Sequence, residues 1–186
     1  THPRPDIFEV LGKEAARDYV DSALLEDIDL LVPVPLHPRR LRERGFNQAE
    51  YICRGIQDIT HLPIDNQHLL RTRNNPHQSR SLFRDRQRNV ANLFAVSHPE
   101  EWKNKHILLV DDIITSGATI MACMQTMAPI HGCKISVFAL GWARSTIGKY
   151  PTLYYFLSIT IIPVGKEISL PTSWSWRLGD SPKLTT

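Results

Sequence analysis

The chain has 186 residues, of which 42% are hydrophobic and 22% charged, and its formal net charge is +3. That length predicts one domain with a real core, and so small a net charge gives no global reason to expect nucleic acid or a membrane surface as partner. Three cysteines (Cys53, Cys123, Cys133) form no C-x-x-C pair and eight histidines show no H-E-x-x-H spacing, so a disulfide framework or zinc site is not expected, no metal ligand is assigned, and a reduced, cytoplasmic setting fits. The nearest approach to a span, Leu153 to Val164, is about half of what a bilayer needs, which argues against membrane insertion.

In chain order, Thr1-His2-Pro3-Arg4-Pro5 reads as the middle of a longer sequence. Residues 7–25 then predict an amphipathic helix with Val10, Leu11, Ala15, Tyr19, Val20, Ala23 and Leu24 on its apolar side. Leu30-Leu31-Val32-Pro33-Val34-Pro35 is a short strand whose prolines limit ladder donation and force a turn. It opens onto an arginine cluster, Arg39, Arg40, Arg42 and Arg44, after which Asn47 is placed to cap a helix through Ile59. From Arg39 to Arg88 there are eleven arginines and no lysine against five acids. Arginine is favoured where planar phosphate recognition is wanted, so this segment faces phosphate or is a solvated helix surface.

Residues 69–90 are densely charged around Asn74-Asn75-Pro76, with a weak apolar stripe, as expected of a loop ordered by an anionic ligand or of a plain exposed helix and loop. The stretch His106 to Thr119, H-I-L-L-V-D-D-I-I-T-S-G-A-T, carries the densest chemistry. Ile107 to Val110 predict a strand buried on both faces, and Asp111 and Asp112 close it where open α/β sheets bind ligands. Thr115, Ser116, Gly117, Ala118 and Thr119 are small and lead into a helix, whose free amides and dipole make an anion site. An acidic pair beside a phosphate cradle suits a sugar diol next to a phosphate. The alternatives are a strand terminator followed by an ordinary cap, or the acidic strand of a nucleoside triphosphatase. The latter needs a P-loop, and Gly148-Lys149 lacks its spacing. Beyond this helix, Gly132 is a candidate C-cap, Lys134 to Leu140 a further buried strand, Tyr154 to Val164 a strand-forming run, and Thr172 to Thr186 a polar tail.

The V-D-D-I-I-T-S-G-A-T string resembles the phosphoribosyl-pyrophosphate (PRPP) motif of type I phosphoribosyltransferases. V-P-V-P-L-H-P-R-R-L-R-E-R-G-F-N-Q resembles the ComF/GntX branch of that superfamily, associated with competence and DNA utilisation, as does the order of Arg71, Arg73, Gln78, Arg86 or Arg88, Asn89, Val90 and Phe94. The resemblance covers residues 29–143. It implies an α/β fold of the type I phosphoribosyltransferase kind, with a mainly parallel central sheet flanked by helices. Residues 1–144 would form the transferase domain and 145–186 an unassigned extension: an added edge strand with a loose tail, an oligomer contact or sequence foreign to the fold. The four-cysteine zinc module common ahead of ComF-type domains has no counterpart here, so the chain is a trimmed domain or a shorter member.

The resemblance also implies PRPP with Mg²⁺ as ligand. Asp111 and Asp112 would take the ribose hydroxyls and offset charge on the anomeric carbon, and Thr115 to Thr119 would hold the 5-phosphate. Pro35, Leu36, His37, Arg39, Arg40 and Arg44 would face pyrophosphate, with Gln78 and Arg80 contributed by a closing flap; Arg39 and Arg40 count with the acidic pair as catalytic candidates. The acceptor, a nitrogenous base or amine, has no signature. A non-catalytic role on single-stranded DNA or with DNA-uptake proteins is the competing expectation, and a homodimer is left open.

Overall fold

The computed structural model describes residues 4–20, 23–72, 93–144, 152–154 and 158–162. In chain order its elements are helices α1 (Asp6–Tyr19) and α2 (Ala23–Glu26), strand β1 (Leu30–Pro33), helices α3 (Pro38–Arg44) and α4 (Gln48–Thr60), and strands β2 (Leu69–Arg71) and β3 (Phe94–Val96). A 3₁₀ turn (Pro99–Trp102) then leads to β4 (His106–Ile114), α5 (Ala118–Met127), β5 (Lys134–Arg144), β6 (Thr152–Tyr154) and β7 (Ser158–Ile162). The fold is α/β, with a central mainly parallel sheet and helices on both faces. β1 and β5 flank β4, both parallel to it, with Pro33 beside Val110 and Val110 beside Phe138.

Four consecutive apolar residues in β4 are explained by that position. Successive side chains alternate between faces, so Ile107 and Leu109 join the cluster containing Cys123, Met124, Met127 and Trp102. Leu108 and Val110 join Ala15, Ala16, Ile52, Cys53 and Ile56 on the other face. All four are fully buried. Each contributes about 1.5–3 kcal/mol of transfer free energy.

The N-terminal helix departs from its expected span and face. It ends at Tyr19, with a separate short α2, and Val10, Leu11 and Val20 are exposed, while Gly12, Ala15 and Ala16 are buried. The reason is a close crossing with α4. A Cβ added at Gly12 would lie 2.3 Å from the Ile52 carbonyl oxygen, and one at Gly55 would lie 2.0 Å from that of Glu9. Backbones this near select the smallest residues of α1 and turn the larger ones outward.

Other expectations are refined. β4 runs on to Ile114, so Asp111 and Asp112 lie inside its last stretch rather than beyond it, and β5 continues past Leu140 to Arg144. Gly132 is not the C-cap of α5, whose end is closed by the Ala128 amide on Met124. It occupies the turn before β5 at φ 69°, packed so closely that a Cβ would meet Asn104 Oδ1 at 2.0 Å. Part of residues 145–186 joins the sheet: β6 and β7 both pair antiparallel with β5. The outer edge of β1 is closed by two hydrogen bonds, Leu31 to Pro63 and Asp65 to Leu31, around a bridge at Ile64.

Candidate functional site

Parallel pairing brings two loops to one place. The Val34 amide still donates to Val110 at 2.8 Å, so the chain leaving β1 and the acids of β4 emerge side by side at the carboxyl edge of the sheet. This is where such sheets bind ligands. The loop Pro35 to His37 is half-buried. Asn47 pins its start, donating through Nδ2 to the Val34 carbonyl at 3.1 Å while its Oδ1 caps α4 through the Ala49 amide at 3.2 Å.

The arginines of this region separate by environment. His37 caps α3, its Nδ1 accepting from the Arg39 amide at 3.2 Å. Arg39 pairs with Glu43 at 2.9 Å on the exposed surface, and Arg44 lies exposed at the far end of the helix. Arg40 is half-buried and close enough for its charge to act on Arg71. Of the expected pyrophosphate residues, Pro35 directly follows the Val34–Val110 hydrogen bond at the acidic edge, and Arg40 acts on Arg71, as Asp111 does. Gln78 and Arg80 lie outside the described residues.

The acidic pair straddles β4. By alternation Asp111 shares the face of Ile107 and Leu109, toward α5, and Asp112 the opposite one. Both are half-buried, and each carboxylate accepts the next amide: Asp112 N to Asp111 at 2.9 Å and Ile113 N to Asp112 at 2.8 Å. Burial first, and the charge of Asp112 second, push the Asp111 carboxyl up to about 7. Its charge reaches Cys123 in α5, where burial and then Asp111 drive the thiol well up.

The turn after β4 leaves a helix start open. Gly117 is the residue before α5 at φ 73°, a left-handed conformation natural to glycine, and it offers no side-chain cap. Ser116 Oγ accepts the Ala118 amide at a long 3.4 Å. The remaining first-turn amides have no intrahelical acceptors. Thr115, Ser116 and Ala118 are exposed and Gly117 and Thr119 half-buried, so an anion arriving from solvent meets both amides and dipole.

Arg71, noted in sequence among the clustered arginines and in the residue order that resembles the ComF/GntX branch, enters this site from the β2–β3 ribbon. Its guanidinium lies 5.4 Å from the centre of the Phe94 ring, and its Nε is buried with no hydrogen-bond partner among the described residues. Burial, then the repulsion of Arg40, lowers it from the ordinary arginine value, while Asp111 acts in the opposite sense. The missed signal was its position on a strand end, visible only once β2 pairs with β3.

The chain is 32% identical over 112 residues to the DNA utilization protein YhgH of Escherichia coli K12, covering 60% of this chain and 48% of that protein. It is 28% identical over 130 residues to competence protein F of Haemophilus influenzae, covering 69% and 57%, and 35% identical over 91 residues to competence protein ComFC of Bacillus subtilis, covering 49% and 35%. The chain thus spans about half the length of the YhgH relatives it matches. No family model matches it. A solved structure described as the allosteric regulatory enzyme of purine biosynthesis aligns at TM-score 0.48 and 18% identity, over 73% of this chain and 25% of that one. The ComF resemblance of its motifs is borne out by these relatives: across its matched part, the chain is a homologue of the DNA utilization and competence F/ComFC proteins.

Proposed function

We propose that the protein binds PRPP with Mg²⁺ and transfers a phosphoribosyl group to or from a nitrogenous base or amine, in a role linked to competence or DNA utilisation. The single observation that carries this reading is the run from Asp111 and Asp112 at the carboxyl edge of β4, through Gly117, into the open N-terminus of α5. In this reading the acids accept from a sugar diol and the helix start cradles its phosphate, both on one continuous segment.

In this reading the α5 amides and the Thr115, Ser116 and Thr119 hydroxyls hold the 5-phosphate and fix the ribose, which is catalysis by position. Asp111 and Asp112 accept from the ribose hydroxyls, and their charge opposes the positive charge that grows at the anomeric carbon as the bond to pyrophosphate breaks. Arg40 and Arg71 carry the charge that receives the departing diphosphate, a preorganised electrostatic contribution. Among the described residues no group of three or more His, Cys, Asp or Glu is placed to hold a metal by itself. Two carboxylates suit an ion that arrives on substrate phosphates, as Mg²⁺ usually does. When bound, that ion neutralises diphosphate charge. Among the described residues no side chain beyond the acidic pair is assigned as a general base for the acceptor.

The test is calorimetric titration with PRPP and Mg²⁺, followed by pyrophosphate release against a panel of bases and amines. Binding that vanishes in the Asp111→Asn, Asp112→Asn variant, together with base-dependent pyrophosphate release, is the expected outcome. Absence of wild-type PRPP binding at millimolar ligand refutes the reading.

A second reading is favoured by the exposed arginines of α3 (Arg39, Arg42, Arg44) and the DNA-utilisation names of the relatives. Here the protein is a non-catalytic accessory that binds nucleotides or single-stranded DNA, contacting its phosphates. DNA binding with a steep salt dependence that survives loss of both aspartates distinguishes it.

A further inference from the structure

A second polar cluster sits at the base of the β2–β3 ribbon, away from the acidic edge. Asp65 is its half-buried anchor. One of its oxygens accepts the Gln67 and His68 amides at 3.0 and 3.1 Å, and the other accepts the Trp102 indole N–H at 2.8 Å and faces His68 Nδ1 at 2.6 Å. Across the ribbon the Ser97 amide donates to the His68 carbonyl at 3.0 Å. The next residue, His98, directs its own Nδ1 at Glu100 Oε1, 3.0 Å away. The two imidazoles stand with centroids 5.3 Å apart and planes at 72°.

Each ring thus turns its Nδ1 toward a carboxylate oxygen. A neutral imidazole whose Nδ1–H donates to a carboxylate has its lone pair on Nε2. No described group is recorded at either Nε2. A carboxylate behind the ring is the usual support of a metal-bound histidine, fixing tautomer and orientation and raising basicity. The spacing agrees as well. Two imidazoles bound through Nε2 to one tetrahedral ion at about 2.0–2.1 Å have ring centroids roughly 5 Å apart. An exposed His98–Glu100 contact, with side chains 60% and 58% accessible, contributes little to folding, so stability alone does not account for it.

We propose that His68 and His98 form a two-imidazole site for a borderline transition-metal dication, of the Zn²⁺ or Ni²⁺ class, with Asp65 and Glu100 holding the rings from behind. No third His, Cys, Asp or Glu among the described residues converges with them, so water or an incoming ligand completes the sphere and the ion exchanges. Mg²⁺ does not compete, because hard cations prefer oxygen donors. The bound ion ties β2 to the segment after β3, and thereby steadies the ribbon whose other end carries Arg71.

The experiment is calorimetric titration of the full chain with ZnCl₂ and, separately, NiCl₂ at pH 7.5, with MgCl₂ in excess, on wild type, His98→Gln, Glu100→Gln and the His68→Gln, His98→Gln double variant. His98 is exposed, so His98→Gln tests the site without risk to the fold. The expected result is a site in the wild type that His98→Gln weakens at least tenfold and that Glu100→Gln weakens by about tenfold. Zn²⁺ should also raise the melting temperature of wild type and not of His98→Gln. Equal affinity in wild type and His98→Gln, or wild-type binding no tighter than that of the double variant, overturns the proposal.

Discussion

The two halves of β4 obey opposite rules. From Ile107 to Val110 every side chain is fully buried between two apolar clusters, and the strand exists because both faces are covered. From Asp111 onward the same strand places two carboxylates in half-buried positions and then a turn that leaves amides uncapped. The first half is organised for stability, whereas the second holds like charges together at a cost in free energy. Such costs cluster at functional sites.

Breaking the acidic half should have the largest effect on binding and the least on folding. Replacing both aspartates by asparagine is expected to weaken PRPP binding by about 100-fold or more, some 3 kcal/mol, with cooperative melting retained in a thermal scan. Breaking the packed half should do the reverse. Trp102→Ala, at a fully buried site that also removes the donor to Asp65, should cost about 3–5 kcal/mol in denaturant melts. Gly55→Ala, where a Cβ has no room against α1, should lower stability by at least about 1–3 kcal/mol.

The comparison sharpens further with pH. Asp111 titrates near 7 in the folded chain and in the usual carboxylate range when unfolded. Its raised value therefore favours the fold at low pH, and that contribution is lost as pH rises through about 7. Asp111→Asn should accordingly raise the melting temperature of the ligand-free protein at pH 8 by a few degrees and leave it nearly unchanged at pH 4, as followed by circular dichroism. A mutant that melts lower than wild type at pH 8 contradicts this account of the edge. The smallest effect is expected at Ser116→Ala. Its cap bond is long, so stability should change by less than about 0.5 kcal/mol while affinity for ribose 5-phosphate falls measurably in the same titrations.

Much of this was legible in the residues. The run of four aliphatics pointed to a strand covered on both faces, as internal parallel strands are. The order acid, acid, small hydroxyl residues and glycine determined a tight turn into an open helix start, because φ 73° at Gly117 and uncapped amides follow from chemistry local to that turn. Asn47 as a cap was equally local.

What the sequence left undecided depended on contacts between distant segments. The buried face of α1 was set by a glycine crossing with α4, which outranks the periodicity of Val10, Leu11 and Val20. Arg40 was separated from Arg39 only by the placement of α3, and Arg71 reached the site only through a strand pairing with residues more than twenty positions away. The His68–His98 pair, thirty residues apart, had no motif to announce it. Local chemistry is written in neighbouring residues; which remote side chains share a surface is decided by packing.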